Sequence, residues 1–193
     1  MVPRLKTVDQ TNNLFYLSQS QKSEVINSAR SQKIINAEIL PQDPVYTAIA
    51  IGLEDQSNLQ PNIADIENTF LVIDRLLNDR ISSTKIQEQV SAVFQNELSV
   101  DKVSLGFTVN INDITTKILN IEGVARIKTR KINPTTGEIV REIPFLNLYN
   151  FNAAYPDIDI NSSGSNVGLP FFKFPFLWNG SVKDNIVVEI VES

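Results

Sequence analysis

The chain has 193 residues, with 22 acidic and 17 basic side chains, a net charge of −5, and neither cysteine nor histidine. The lack of cysteine excludes disulfides, thiolate metal sites and a cysteine nucleophile, and the lack of histidine excludes a Ser-His triad and histidine zinc ligands. A pI near 4.8 argues against a protein that neutralises phosphates, so we expect no nucleic-acid partner.

Residues 1–44 are interpreted as a lead-in segment with one short helix and one strand. Ser20 or Ser23 can cap a helix that extends to about Ser31, because serine oxygens accept hydrogen bonds from the first free N–H groups of a helix. Residues 33–40 resemble a strand that ends at a proline.

The next elements follow clearer patterns. Residues 45–53 alternate between bulky and small side chains, which predicts a strand. Residues 68–76 fit neither the helical nor the strand period cleanly, and we interpret them as a second strand. Thr84 and Gln87 match the capping-box pattern, which predicts the start of a helix over residues 84–98.

A second helix and a hairpin complete this part of the chain. Residues 100–109 place four apolar side chains on one strand face and are interpreted as a strand or a turn. Asn112 can cap a helix for which Gly123 is the expected stop. Residues 124–132 and 138–143 then predict a hairpin, because a Pro- and Gly-containing turn separates them.

These elements predict an α+β fold in which residues 45–143 form a core domain, a small mixed sheet with two amphipathic helices. Residues 144–193 are expected to form an irregular β-rich, aromatic C-terminal region.

The aromatic stretch in this region contains Pro170 and Pro175, which cannot donate to a sheet ladder. The stretch therefore predicts an edge strand or an extended arm. That arm can pack onto its own domain or serve as an interface with a partner protein, where aromatic residues are enriched. If the arm is an interface, the residues predicted to contact the partner are Phe172, Phe174, Phe176 and Trp178, with Tyr149, Phe151 and Tyr155 as neighbours.

Two short motifs are weak evidence for chemistry. Residues 157–161 begin like a calcium-binding EF-hand loop, but Ser162 stands where the loop needs glycine and Gly168 where it needs a bidentate glutamate. Residues 82–85 read S-x-x-K, without the partner motifs of serine β-lactamases. We therefore expect no metal, no cofactor, no catalytic residues and no enzymatic activity.

Three basic side chains, Arg126, Lys128 and Arg130, share one face of the predicted strand over residues 124–132. A solvated hairpin face accounts for them better than a nucleic-acid patch does, because the chain is acidic and the stripe has no interleaved aromatic residues. An electrostatic contact with an acidic partner protein is the other interpretation.

The order of several segments resembles the C-terminal part of the large baseplate wedge subunit of T-even-like contractile-tailed phages, in the baseplate J-like family. The segments that carry the resemblance are Asp43-Pro44-Val45-Tyr46, residues 93–97, Leu105-Gly106, the I-x-G-V-x-x-I piece at Ile121 to Ile127, residues 152–160 and residues 169–175. The resemblance covers about residues 40–193 and implies a fragment or minimal relative of a longer subunit. It implies no catalytic residues, and it implies a structural role in subunit dimerisation and wedge-to-wedge linkage around the tail hub.

The expected function is therefore that of a structural protein of a phage tail baseplate, with itself and other wedge proteins as partners. Its expected location is the virion, after synthesis in the host cytoplasm. The alternative is a module of a tail fibre or adhesin that binds carbohydrate or another surface ligand. No apolar run approaches the roughly 18 residues of a membrane span, and the first residues lack the apolar stretch of a signal peptide, so we expect a soluble chain without a membrane partner.

Overall fold

The computed structural model describes residues 18–30, 45–53, 66–77, 80–99, 101–152, 158–159, 167–169, 173–178 and 182–192. The strand expected over residues 33–40 lies outside these ranges. Within them the chain forms helices and two mixed sheets, so the predicted α+β class is confirmed.

Three α-helices lie in the described part of the chain: α1 (Gln19–Arg30), α2 (Ser83–Glu97) and α3 (Ile111–Leu119). Each begins one or more residues before the predicted cap. For α1, the side chain of Ser18 accepts from the backbone N–H of Gln21, and the Gln21 side chain accepts from the N–H of Ser18, so the capping box lies at Ser18.

The caps of α2 and α3 also correct the predictions. The Ser82 hydroxyl accepts from the Lys85 N–H at 3.3 Å, so Ser82 and not Thr84 caps α2. The Asn110 side chain, not that of Asn112, caps α3 by accepting from the Asp113 N–H at 3.1 Å. Asn110 and Ser82 thus satisfy donors that the helices themselves leave free.

The described strands fall into two four-stranded sheets and one short pair. They are β1 (Val45–Ile51), β2 (Thr69–Leu76), β3 (Thr108–Val109), β4 (Val124–Ile132), β5 (Ile139–Ile143), β6 (Leu148–Asn152), β7 (Ile158–Asp159), β8 (Val167–Gly168), β9 (Lys173–Leu177) and β10 (Ile186–Val191). The first sheet has the order β7-β6-β1-β9 and the second has the order β10-β2-β4-β5. β9 runs parallel to β1 and β10 runs parallel to β2, whereas the other pairs in these sheets are antiparallel.

The C-terminal region belongs to both sheets. It supplies β6, β7 and β9 to the first sheet and β10 to the second, so pairing crosses the boundary predicted after residue 143. Leu148, Phe176 and Ile186 join Ile49, from β1, in one continuous hydrophobic core. One core therefore serves both the 45–143 segment and the region after it, where the sequence predicted one small sheet followed by irregular structure.

Residues 101–107 form turns and irregular structure instead of the extended strand that the alternating pattern of residues 100–109 favours. The N–H groups of Lys102 and Val103 both donate to the Ser99 carbonyl, and Gly106 has a φ of 70°. That left-handed conformation interrupts an extended chain, so only Thr108–Val109 pair as a strand, against β8.

Buried polar groups connect the two sheets near the start of β6. The Thr129 hydroxyl donates to the Phe145 carbonyl at 2.7 Å and accepts from the Asn147 N–H at 3.0 Å. The Asn147 side chain donates to the Gly52 carbonyl at 2.7 Å. We call Gly52, Thr129, Asn147 and Tyr149 the sheet junction, because β4 of the second sheet is tied there to the end of β1 in the first.

Candidate interaction surface

One face of the second sheet carries an array of opposite charges. Arg126, Lys128 and Arg130 alternate along β4, as expected from the strand period. Carboxylates come from the three other strands, and the sheet register places them on the same face. This charged face consists of Asp74, Arg126, Lys128, Arg130, Glu142 and Glu189.

Asp74 on β2 is completely buried, and two cations neutralise it. Its carboxylate oxygens lie 3.1 Å from Arg126 Nε and 3.0 Å from Lys128 Nζ. A buried carboxylate is costly unless charge partners compensate for the lost water. Both cations keep contact with solvent, so they neutralise Asp74 at a lower desolvation cost than a fully buried pair would carry.

Arg130 links the two outer strands of the sheet. Its guanidinium donates to both carboxylate oxygens of Glu189 on β10, with 3.0 Å between Nη2 and Oε2, and also donates to Glu142 on β5. The hydrogen bond from Arg130 holds the pKa of Glu189 below its ordinary value, against the opposing effect of burial. The same carboxylates raise the pKa of Arg130. The basic stripe is thus paired with acidic groups of its own chain.

Glu189→Gln should therefore reduce stability in a pH-dependent way. A carboxyl group whose pKa is lowered by folding stabilises the protein above its unfolded-state pKa, and this stabilisation is lost as the pH falls through the folded-state pKa. We expect a loss of about 1 kcal/mol at neutral pH, since the pair is partly exposed, and a smaller loss at a pH of about 3. Urea unfolding at both pH values measures the difference, with Glu192→Gln as the control. An equal loss at both pH values would contradict the ion-pair explanation.

The aromatic residues predicted as an interface lie in different environments. Phe174, Phe176 and Tyr149 belong to the buried core, and Trp178 packs against that core while remaining partly exposed. The rings of Phe174 and Phe176 both meet Tyr46 edge-on, with centroids 6.0 and 6.4 Å apart. Their packing agrees with the interpretation in which the arm packs onto its own domain. A partner could reach these three buried side chains only if the first sheet opened.

The remaining three predicted interface side chains, Phe172, Phe151 and Tyr155, lie outside the side chains that the structure describes. The edge position expected for the proline-containing stretch agrees with β9, which ends the first sheet in the described order. Pro175 pairs with Thr47 on β1 in the middle of that strand. An edge strand accommodates a proline because one side of its ladder has no neighbour to receive an N–H.

Exposed apolar side chains instead occur on the outer strands of the second sheet. Ile139 and Val140 on β5 are 57% and 40% exposed, and Ile190 and Val187 on β10 are 55% and 37% exposed. Leu77, just beyond β2, is 59% exposed. This pattern is not predictable from the sequence, since the alternation within β5 and β10 does not reveal that both strands lie at sheet edges.

Metal-binding and catalytic motifs gain no support from the geometry. No group of three or more acidic residues that could hold a metal ion occurs among the described residues. Only the backbone of Ile158 and Asp159 is described in the EF-hand-like segment, where it forms the edge strand β7. Ser82 of the S-x-x-K motif is the N-cap of α2.

None of the helices in the described ranges is long and apolar enough to cross a membrane.

No protein-family model matches the chain, and no curated protein is significantly similar to it in sequence.

Proposed function

We propose that this chain is a structural protein of a phage tail baseplate, which assembles through contacts with a second copy and with other wedge proteins. The observation that carries the proposal is the second sheet, whose outer strands β5 and β10 have no further strand beside them among the described residues. Both present exposed apolar side chains, including Ile139 and Ile190. Open edges of this kind form intermolecular contacts readily, because their backbone groups can pair with another strand.

The local structure of the family-like piece supports the phage assignment. Ile121 to Ile127 follows α3 and enters β4 through Gly123, which has a φ of 90°. This left-handed position accounts for the glycine in the I-x-G-V-x-x-I pattern. The helix, glycine turn and strand thus occur in the order on which the resemblance to the wedge subunit rests.

Immunogold electron microscopy tests the baseplate assignment. Antibodies raised against the purified chain are expected to label the baseplate end of contractile tails in particles of the phage that encodes it. Particles treated with antibody that has been pre-absorbed with the chain are the control. Particles without label would contradict the proposal. Label on fibre tips, together with a glycan-array signal, would support the surface-ligand alternative instead.

A further inference from the structure

One side of the β10 backbone has no neighbouring strand in the described part of the chain. The Leu77 N–H donates to the Val191 carbonyl at 3.1 Å, so Val191 directs its backbone groups towards β2. Because these groups alternate along a strand, Val188 and Ile190 direct theirs away from the sheet. No strand in the described part of the chain pairs with this side of β10. Val188 and Ile190 therefore offer donors and acceptors to an incoming strand.

Gln87 limits the free length of this edge. Its side-chain amide donates to the Ile186 carbonyl at 2.7 Å, so helix α2 already satisfies the first outward carbonyl of β10. The edge available for pairing thus begins at Val188 and continues towards Glu192. Ile190 lies at its centre and is 55% exposed.

Charge and the Gln87 contact together favour one of the three registers centred on residues 188–190 for pairing with an identical strand. Two antiparallel copies related by a two-fold axis place one residue opposite itself. An axis at Glu189 would place two carboxylates opposite each other, which is destabilising. An axis at Val188 would pair Ile190 with Ile186, whose carbonyl already accepts a hydrogen bond from Gln87. An axis at Ile190 pairs isoleucine with isoleucine, Glu189 with Val191 and Val188 with Glu192.

Repulsion between like charges disfavours the corresponding self-pairing of β5, at the other edge of the sheet. On β5, an axis at Arg141 opposes two arginines and an axis at Glu142 opposes two glutamates. An axis at Val140 places Glu138 of one copy opposite Glu142 of the other. All three registers centred on the middle of β5 therefore oppose like charges, whereas β10 has a register that does not.

We propose that β10 pairs antiparallel with β10 of a second copy, with the two-fold axis at Ile190, so that the second sheet continues across the dimer. This inference rests on the proposed assembly function for its biological role and specifies the surface through which the chain meets itself. The free N–H and C=O groups of Val188 and Ile190 supply the hydrogen bonds, and the two Ile190 side chains bury each other.

Single-cysteine variants test the register directly, because the chain contains no cysteine. Ile190→Cys is expected to form a disulfide-linked dimer under mild oxidation, since directly opposite residues have Cα atoms about 5.5 Å apart, within disulfide range. Val188→Cys should not cross-link with itself, because its two copies are offset by four residues, about 14 Å along the ladder at about 3.4 Å per residue. A mixture of Val188→Cys and Glu192→Cys should cross-link.

Ile139→Cys is the matched control, since Ile139 is as exposed as Ile190 but lies on the opposite edge. Three results would overturn the inference. They are equal cross-linking of Ile190→Cys and Ile139→Cys, faster cross-linking of Val188→Cys with itself than of Ile190→Cys, and no cross-linking of Ile190→Cys. Gel mobility without reductant measures the product, and far-ultraviolet circular dichroism confirms that each variant is folded.

A second measurement needs no cysteine. Light scattering of the unmodified chain between about 1 and 100 µM should detect a dimer, and Ile190→Lys should raise its dissociation constant by about tenfold or more. Ile139→Lys should leave the constant unchanged. A monomer at every concentration would overturn the inference. Cross-linking and light scattering use only the purified chain, whereas immunogold labelling uses phage particles. Absence of a β10 dimer together with labelled baseplates would overturn this inference alone. A β10 dimer together with unlabelled baseplates would contradict only the proposed function.

Discussion

Gly52→Ala is expected to lower the free energy of unfolding by about 3 kcal/mol, because the added methyl group has no space. A Cβ atom at this position would lie 2.1 Å from Cδ2 and 2.6 Å from Cε2 of the Tyr149 ring. Tyr149 is completely buried, so its ring cannot swing into solvent. Urea unfolding of the variant and the unmodified chain measures the loss.

Two further variants separate the steric effect from the loss of a glycine. Gly137→Ala is the control, because a Cβ there meets nothing within 4 Å and only the φ of +73° is unfavourable, which costs about 1 kcal/mol. In a Tyr149→Ala background, Gly52→Ala should cost much less than in the unmodified chain. If it costs the same in both backgrounds, the ring contact is not the cause.

Thr129→Val is expected to cost about 2 kcal/mol, the second largest effect, although the two side chains have nearly the same shape. The Thr129 hydroxyl is the partner of both the Phe145 carbonyl and the Asn147 N–H. Both Thr129 and Asn147 are buried, so water cannot easily replace the lost hydroxyl. The junction between the sheets should therefore weaken without a change in packing volume.

Thr129→Ser is the control for this substitution, since it keeps the hydroxyl and removes only a methyl group, at a cost of about 1 kcal/mol. Chemical unfolding of the two variants compares hydrogen bonding with packing at one site. A serine variant as unstable as the valine variant would indicate that the methyl group, not the hydroxyl, stabilises the junction.

Local patterns predict the elements whose side chains repeat regularly. β4 spans the predicted residues 124–132, and α2 begins within one residue of its predicted start. In both elements the buried side chains repeat at one clear period, that of a helix in α2 and that of a strand in β4, so burial of one face favours the observed conformation. Gly123 also takes the left-handed conformation expected of a glycine that follows a helix.

Helix starts were less predictable because several residues with the same chemistry lie close together. Ser82 and Thr84 can each accept from a helix N–H, as can Asn110 and Asn112. Tertiary contacts decide between them. Gln87, for instance, donates to the Ile186 carbonyl on β10 instead of returning to the start of α2, as the capping box would require.

The candidate surface depends on strand order, which no local pattern contains. Arg130 pairs with Glu189, 59 residues later in the chain, because β10 joins the sheet beside β2. For the same reason, the free edge at Ile190 could not be inferred from the alternation within β10. The aromatic arm was ambiguous because burial and partner binding favour the same residue types.

The parallel pairing of β9 with β1 and of β10 with β2 affects when the protein can fold. In each case the first strand is synthesised more than 100 residues before its partner. Contacts between such distant residues require large loops to close, which slows folding. Until residues 173–191 leave the ribosome, β1 and β2 lack these neighbours and expose strand edges that can pair with other nascent chains. Chaperones that shield extended apolar segments should therefore increase the yield of this protein more than they would for a helical bundle of equal length.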